Sequence, residues 1–338
     1  MKKSIALFFV YAAIVLACLV VMDICVGFLF RKVVNKLDEK VHDSQSALAS
    51  YNVNTLVSDI VVIGSSTATC HFAPAILADS INMYLGTDWT AFNGGTRYQQ
   101  PSYSYCMMKC LVDRTAPNIA IVDIQPQQLS GKANYTALKC LHPFYGMNDN
   151  VKEILDDNET FWERIWLKSS MFQFNSQFIN LFSAFLRGSN ADGFDPKNGT
   201  MSESEYAKLM KPDDEDDERE EEVLNQVLVR EFDSMMRIAN DNDVRLFIVM
   251  SPRLYKVDRN SLSYRKIVEL CKKHDVPLLD FSDDEQLCRR ELFYDGIHMN
   301  EEGALLLTRK TCECIRGCLW IEGTAEGTAG TDPAVLSI

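Results

Sequence analysis

A run of apolar residues ends on a glycine and two serines: Ile60-Val61-Val62-Ile63-Gly64-Ser65-Ser66-Thr67. The unbroken β-branched pattern predicts a buried strand. Gly64 can take backbone angles closed to other residues, so the strand ends there. The stretch from Thr67 to Ser80 can be helical. A small-residue turn between a buried strand and a helix puts a hydroxyl at the carboxyl edge of a sheet, where open α/β folds bind ligands. The helix start aims free N–H groups at the same place. Further strand patterns follow at Thr90–Phe92, Asn118–Ile124, Val244–Met250 and Val276–Phe281. Helical patterns separate them at Ala73–Asp79, Ser102–Asp113, Val223–Asn240 and Ser263–His274, with another from about Glu301. This alternation predicts an α/β fold, a central parallel sheet with helices on both faces.

Far downstream lies Tyr294-Asp295-Gly296-Ile297-His298-Met299-Asn300. The Asp-x-x-His spacing lets one tight turn bring a carboxylate to one imidazole nitrogen. The other nitrogen then remains for a serine proton. Asn300 is placed to cap the following helix, and Glu301 and Glu302 suit its positive end.

Together the two stretches resemble the SGNH/GDSL hydrolase superfamily. Its first block reads Gly-Asp-Ser, and Gly64-Ser65-Ser66 matches with Ser65 in place of the Asp. Its last block reads Asp-x-x-His, matched by Asp295 and His298. The resemblance spans roughly Ser58 to Gly317, implies a three-layer flavodoxin-like domain, and puts Ser66, Asp295 and His298 in the catalytic roles. The superfamily's second block, often Asn-x-Gly-x-x-Gly, falls at Asn93-Gly94-Gly95-Thr96-Arg97-Tyr98. Asn93 and Gly95 match, with a backbone oxyanion donor implied near Gly95. Tyr98 stands where the last glycine belongs. The third block, Gly-x-Asn-Asp, should follow the strand at Asn118–Ile124. The chain instead has Asp123-Ile124-Gln125-Pro126-Gln127-Gln128, so Gln125 or Gln127 would replace the missing asparagine. A literal Gly146-Met147-Asn148-Asp149 precedes a helical pattern and reads as a helix cap. Arg253 follows the strand at Val244–Met250 and falls at the same sheet edge as Ser66. It suits an anionic or carbonyl substrate group, or a surface ion pair.

The N-terminus is almost wholly apolar from Ser4 to Phe30, with Asp23 its one charge. About 20 such residues cross a bilayer, and one off-centre Asp does not outweigh them. A cleaved signal peptide has a shorter apolar region, about 7–15 residues, and a small-residue cleavage site. Val15-Leu16-Ala17-Cys18 only faintly resembles a lipoprotein box. The expectation is an uncleaved anchor over 1–32, contacting membrane lipid through residues 4–30. A stalk over 33–57 and a hydrolase domain over 58–318 follow, with a helical and acidic insertion at about 143–222 and a disordered tail over 319–338. Lys2, Lys3, Arg31 and Lys32 flank the span on both sides, so charge does not orient it. An extracytoplasmic catalytic domain is implied by the resemblance to membrane-anchored members acting on envelope glycans.

The formal charge of −13 excludes phosphate neutralisation, hence nucleic acid. Eleven cysteines without a Cys-x-x-Cys pair read as small packed hydrophobes, with disulfides left open. The five histidines include no His-x-x-x-His pair, so no metal or other cofactor is expected, and a metallohydrolase is a distant reading. Phe161, Trp162, Trp166, Phe172, Phe174, Phe178, Phe182 and Phe185 mark the insertion as core packing or a cap over the site. Asp213 to Glu222 reads as a solvated acidic run. The resemblance implies serine-nucleophile acyl chemistry, hydrolysis or transfer, on O-acyl groups of an envelope polysaccharide, alongside acylation or export partners. The alternative is an SGNH-fold membrane scaffold without catalysis.

Overall fold

Every residue of Ile60–Gly64 is buried, and this strand, β1, is an inner strand of a parallel sheet. The computed structural model describes residues 2–37, 45–130, 137–175, 179, 192–211 and 222–325. Within these, the helices are α1 (Lys2–Leu37), α2 (Gln45–Asn54), α3 (Ser66–His71), α4 (Pro74–Leu85), α5 (Pro101–Arg114) and α6 (Asp149–Asn158). They continue as α7 (Phe161–Trp166), α8 (Ser170–Asn175), α9 (Glu203–Leu209), α10 (Gln226–Asp241), α11 (Leu262–Lys273) and α12 (Glu301–Ala325). The other strands are β2 (Ala91–Asn93), β3 (Ile119–Asp123), β4 (Arg245–Met250) and β5 (Leu278–Asp280). Contacts divide the chain into two compact units, Met1–Thr55 with Lys139–Ser189, and Leu56–Leu138 with Asn190–Ile338.

The second unit holds the sheet, in the order β2-β1-β3-β4-β5 with every pairing parallel. That is the flavodoxin-like order of doubly wound folds. Alternation along the strands covers both faces. Ile60, Val62, Ile119, Ile121, Phe247 and Val249 join a core with Phe72, which follows α3, and with Leu77, Leu307 and Ile315 of α4 and α12. On the other face, α5 packs on β1, α10 packs on β4, and the two helices pack on each other. The α/β reading therefore holds, with strand ends shifted by one or two residues.

Three local expectations change. The helical stretch after Ser66 is broken in two, because Pro74 cannot continue α3 and holds Ala73 extended (φ −90°, ψ 108°). Pro74 then starts α4 as its first residue. Asn93 ends β2 rather than following it. The last helix continues through 319–325, where the sequence reading begins the tail; 326–338 lie outside the described residues, as do 213–221 of the acidic run, while its last residue, Glu222, accepts from Leu262 N–H and Ser263 Oγ.

In the first unit, α1 holds an apolar stretch, Ile5–Lys36, long enough to cross a membrane. Its C-terminal half is packed against α8. Asp23 Oδ1 accepts from Ser169 Oγ at 2.6 Å and from Met171 N–H at 2.8 Å, and Asp23 Oδ2 accepts from Ser170 N–H at 3.1 Å. The Phe30 and Phe174 rings stack with centroids 4.9 Å apart. A Cβ on Gly27 would lie 2.4 Å from Ser170 Oγ, so only glycine admits this approach. The aromatic stretch breaks into α6, α7 and α8. Asn148 caps α6, its side chain accepting from Val151 N–H at 3.1 Å. Helix α7 buries none of its residues, and Phe161, Trp162 and Trp166 stand exposed. Phe174 is packed, while Phe178, Phe182 and Phe185 lie outside the described residues.

Candidate active site

The site begins where β1 stops. Gly64 has φ +152°, and a Cβ there would meet the Asp123 carbonyl oxygen at 2.7 Å and Ala68 Cβ at 2.9 Å. Only glycine passes between these neighbours, and the chain turns at once into α3, with Ser66 as the helix's first residue. On the far loop, Asp295 Oδ1 accepts from the backbone N–H groups of Ile297 (2.9 Å) and His298 (2.8 Å). This local turn leaves Asp295 Oδ2 on His298 Nδ1 at 2.8 Å. His298 Nε2 lies 2.8 Å from Ser66 Oγ. The structure thus brings Ser66, His298 and Asp295 into one line, although 232 positions separate the serine from the histidine. Burial by itself would raise the Asp295 carboxyl. The hydrogen bonds from the His298 ring and from the Ile297 and His298 backbones hold it below the ordinary carboxylate value. Asn300 Oδ1 accepts from Gly303 N–H at 3.1 Å, capping α12 and fixing the end of the loop.

Such an arrangement can take a proton from Ser66 onto His298 while an ionised carboxylate holds the imidazole's tautomer. Both serine and histidine remain partly accessible. Ser66 opens onto a cavity of about 280 Å³ that it shares with Ser65, Gln125, Gln127, Gln128, Arg253, Tyr255 and Ile297. A larger opening of about 560 Å³, around Asn118, Arg245 and Pro277, lies at the amino ends of the strands and holds none of these groups. Open α/β sheets bind at the carboxyl ends.

Asn93 and Gly95 have other work. Asn93 is fully buried; its Nδ2 donates to the carbonyls of Ala68 and Phe72, each at 2.8 Å, and its Oδ1 accepts from Gly95 N–H at 2.9 Å. Both amide hydrogens of Asn93 and the N–H of Gly95 are therefore used up in clamping β2 to α3. The expected donor near Gly95 is corrected on this ground: its hydrogen is already spent. Tyr98 takes the left-handed conformation, φ +63°, that a glycine there would adopt without strain. The next N–H, of Gln99, donates to Ser65 Oγ at 3.2 Å, so Ser65 ties this turn to the serine turn.

Gln125 stands at the cavity wall. Its Nε2 donates to the Ser251 carbonyl at 3.4 Å, and its Oε1 is buried without a partner. Gln127 also lines the cavity, while Gln128 Oε1 accepts from Gln125 N–H at 2.7 Å. Arg253 is buried at 4% exposure, so it is no surface ion pair. Its Nη1 donates to Tyr255 Oη at 3.3 Å, and its Cζ lies 5.0 Å from the Tyr255 ring centroid. Burial lowers the Arg253 guanidinium from its ordinary value, and Tyr255 and Asp123 partly restore it.

Two residues of the site escaped the sequence reading. Asp123, at the carboxyl end of β3, accepts from Thr67 Oγ1, and at 2.6 Å from Ser251 Oγ. It joins the residue after Ser66 to the end of β4, and burial raises its carboxyl against these hydrogen bonds. A carboxylate ending a buried strand was the available signal. His71, at the far end of α3, accepts at Nε2 from Met299 N–H at 2.9 Å. It holds the residue that follows His298, and its distance of five positions from Ser66 gives no local hint of this. Burial raises the thiols of Cys70, Cys271, Cys288, Cys312 and Cys314, which act as packed hydrophobes.

No protein-family model and no curated protein matches the sequence. Among solved structures the chain is similar to the psychrotrophic esterase EstA from Pseudoalteromonas sp., at 8% identity over 77% of this chain and 98% of that one, with a TM-score of 0.39. It is similar to an acetyl xylan esterase, AlAXEase, at 9% identity over 76% and 99% of the two chains, with a TM-score of 0.38. A lipase/acylhydrolase from Enterococcus faecalis shows 13% identity over 77% and 95%, with a TM-score of 0.36.

Proposed function

We propose that this chain is a serine-nucleophile ester hydrolase or O-acyltransferase of SGNH type. The observation that carries the reading is the Ser66–His298–Asp295 line, with both contacts at 2.8 Å, opening onto a cavity at the carboxyl edge of the sheet. His298 Nε2 takes the Ser66 proton as Oγ bonds to the ester carbonyl carbon. The C–O bond to the alcohol then breaks, and His298 returns the proton to the departing oxygen. Water or a sugar hydroxyl next attacks the acyl-enzyme by the same route in reverse. The oxyanion donors are the Ser66 backbone N–H and the Gln125 amide, since Gly95 is engaged elsewhere. Each such donor is worth about 10²–10³ in rate.

The substrate is an O-acyl group on a cell-envelope polysaccharide, and α1 is a retained membrane anchor with the catalytic domain, 58–318, outside the cytoplasm. Retention is supported by Asp23, Gly27 and Phe30, which are packed into the first unit. The exposed Trp162 and Trp166 of the same unit suit a membrane–water interface. Envelope acylation or export proteins are the partners this placement would serve.

The test is labelling of the full chain, in detergent, with a fluorophosphonate. The expected result is one labelled serine, lost in Ser66→Ala and at least a hundredfold slower in His298→Ala. The engaged Gly95 N–H favours a second reading, a non-catalytic scaffold; a folded chain that takes no label establishes that one instead.

A further inference from the structure

Taking a guanidinium out of water is costly, and the cost is normally offset by a carboxylate. Arg253 has no such offset. It is 4% exposed, and among the described residues its guanidinium has one hydrogen-bond partner, the Tyr255 hydroxyl, while its Nε is buried with no acceptor. The two carboxylates whose fields reach it are occupied. Asp123 serves Ser251 and Thr67, and Asp280 serves Arg259 at 3.2 Å, Tyr264 at 2.8 Å and Ser282 at 2.6 Å. Among the described residues no ion pair joins Arg253 to an acid. Yet Arg253 and Tyr255 wall the same cavity as Ser66. The tyrosine ring holds the guanidinium plane in place by cation–π contact, leaving its unused donors for a ligand.

We propose that the cavity is built for an ester bearing a carboxylate, with Arg253 as the residue that binds the charge while Ser66 attacks the ester carbonyl. The planar, permanently charged fork of arginine matches a carboxylate through two parallel N–H donors. This rests on the serine-nucleophile reading and adds the substrate class: an acidic acyl group, or an acyl group borne next to an acidic sugar. The buried, unpartnered Gln125 Oε1 in the same wall would accept from a hydroxyl beside that charge.

The test compares two esters of similar size on the full chain in detergent, mono-4-nitrophenyl succinate and 4-nitrophenyl pentanoate. The wild-type chain should favour the succinate ester by at least tenfold in kcat/KM. Arg253→Gln should lose at least ten times more kcat/KM on the succinate ester than on the pentanoate ester, with most of the difference in KM. Arg253→Lys should recover part of it. A wild-type chain without preference overturns the proposal, and so does an equal loss on both esters, which would make Arg253 an oxyanion donor or packing residue. Fluorophosphonate labelling of Ser66 in each variant reports folding and the nucleophile separately. If neither ester turns over, calorimetry with Ser66→Ala decides: monomethyl succinate should bind, methyl pentanoate should not, and Arg253→Gln should abolish the difference. Equal binding of both ligands overturns the proposal even then.

Discussion

His71 is fully enclosed, and burial pushes its imidazole down from 6.5 to about 3, with the neighbouring His298 adding to the fall. The folded chain therefore keeps it neutral, as its role of accepting from Met299 N–H requires. The unfolded chain takes up a proton below about 6.5. Between those two values the unfolded state binds more protons, so stability falls as pH falls. At about 1.4 kcal/mol per unit, the loss from this group between pH 6.5 and pH 4 is on the order of 3 kcal/mol. Urea midpoints measured across that range should drop accordingly. His71→Gln should start lower at pH 7 and show a shallower slope; an unchanged slope would remove His71 from the account. At this same scale, the Asp295–His298 turn was legible because three residues and two backbone N–H groups settle it locally. The contacts of Asp123 and His71 were not, since their partners lie 56, 128 and 228 positions away and leave no local pattern.

Between elements, the Asn93 side chain is the joint. One amide ties the end of β2 to two carbonyls of the α3 region and to the next turn. Asn93→Ala should remove three buried hydrogen bonds, at about 1 kcal/mol or more each. The expected cost is about 3 kcal/mol by urea unfolding, together with slower fluorophosphonate labelling of Ser66, because the helix that starts at the nucleophile loses its anchor. A full-rate variant would show that α3 is held by other contacts. The strand–glycine–serine pattern foretold β1 and the start of α3 because burial and glycine act locally. The helix expected over Ala73–Asp79 appears as α4, with Pro74 separating it from the shorter α3. The role of Asn93 was misassigned because a motif position does not reveal whether its hydrogens face inward to carbonyls or outward to a ligand.

At the scale of the whole molecule, the two compact units lean on different things. The unit carrying the sheet closes its core through strand pairing and helices on both faces. The other depends on α1 to cap α8 through Asp23 and to stack Phe30 on Phe174. Deleting residues 2–37 should strip hydrogen-exchange protection from the first turn of α8, at Ser170 and Met171, while the amides of β1, β3 and β4 stay protected. Loss of protection across the sheet as well would mean that the chain stands or falls as one. The alternation of strands and helices made the sheet-bearing unit readable, because its layers follow the order of the chain. The other unit was not readable, because it is assembled from two stretches with 83 residues, Leu56–Leu138, between them.

That interruption has a consequence for synthesis. Asp23 and Ser169 are 146 positions apart. At about 5–20 residues per second, the acceptor is added to the chain roughly 7–30 s before its donor. In that interval β1, β2 and β3 are made, while α1 has only its own hydrophobicity to determine where it goes. The unit that starts first is complete only at Ser189, after the first stretch of the other has been made, so the fate of its leading helix is set before the contacts that hold α8 to it have been translated.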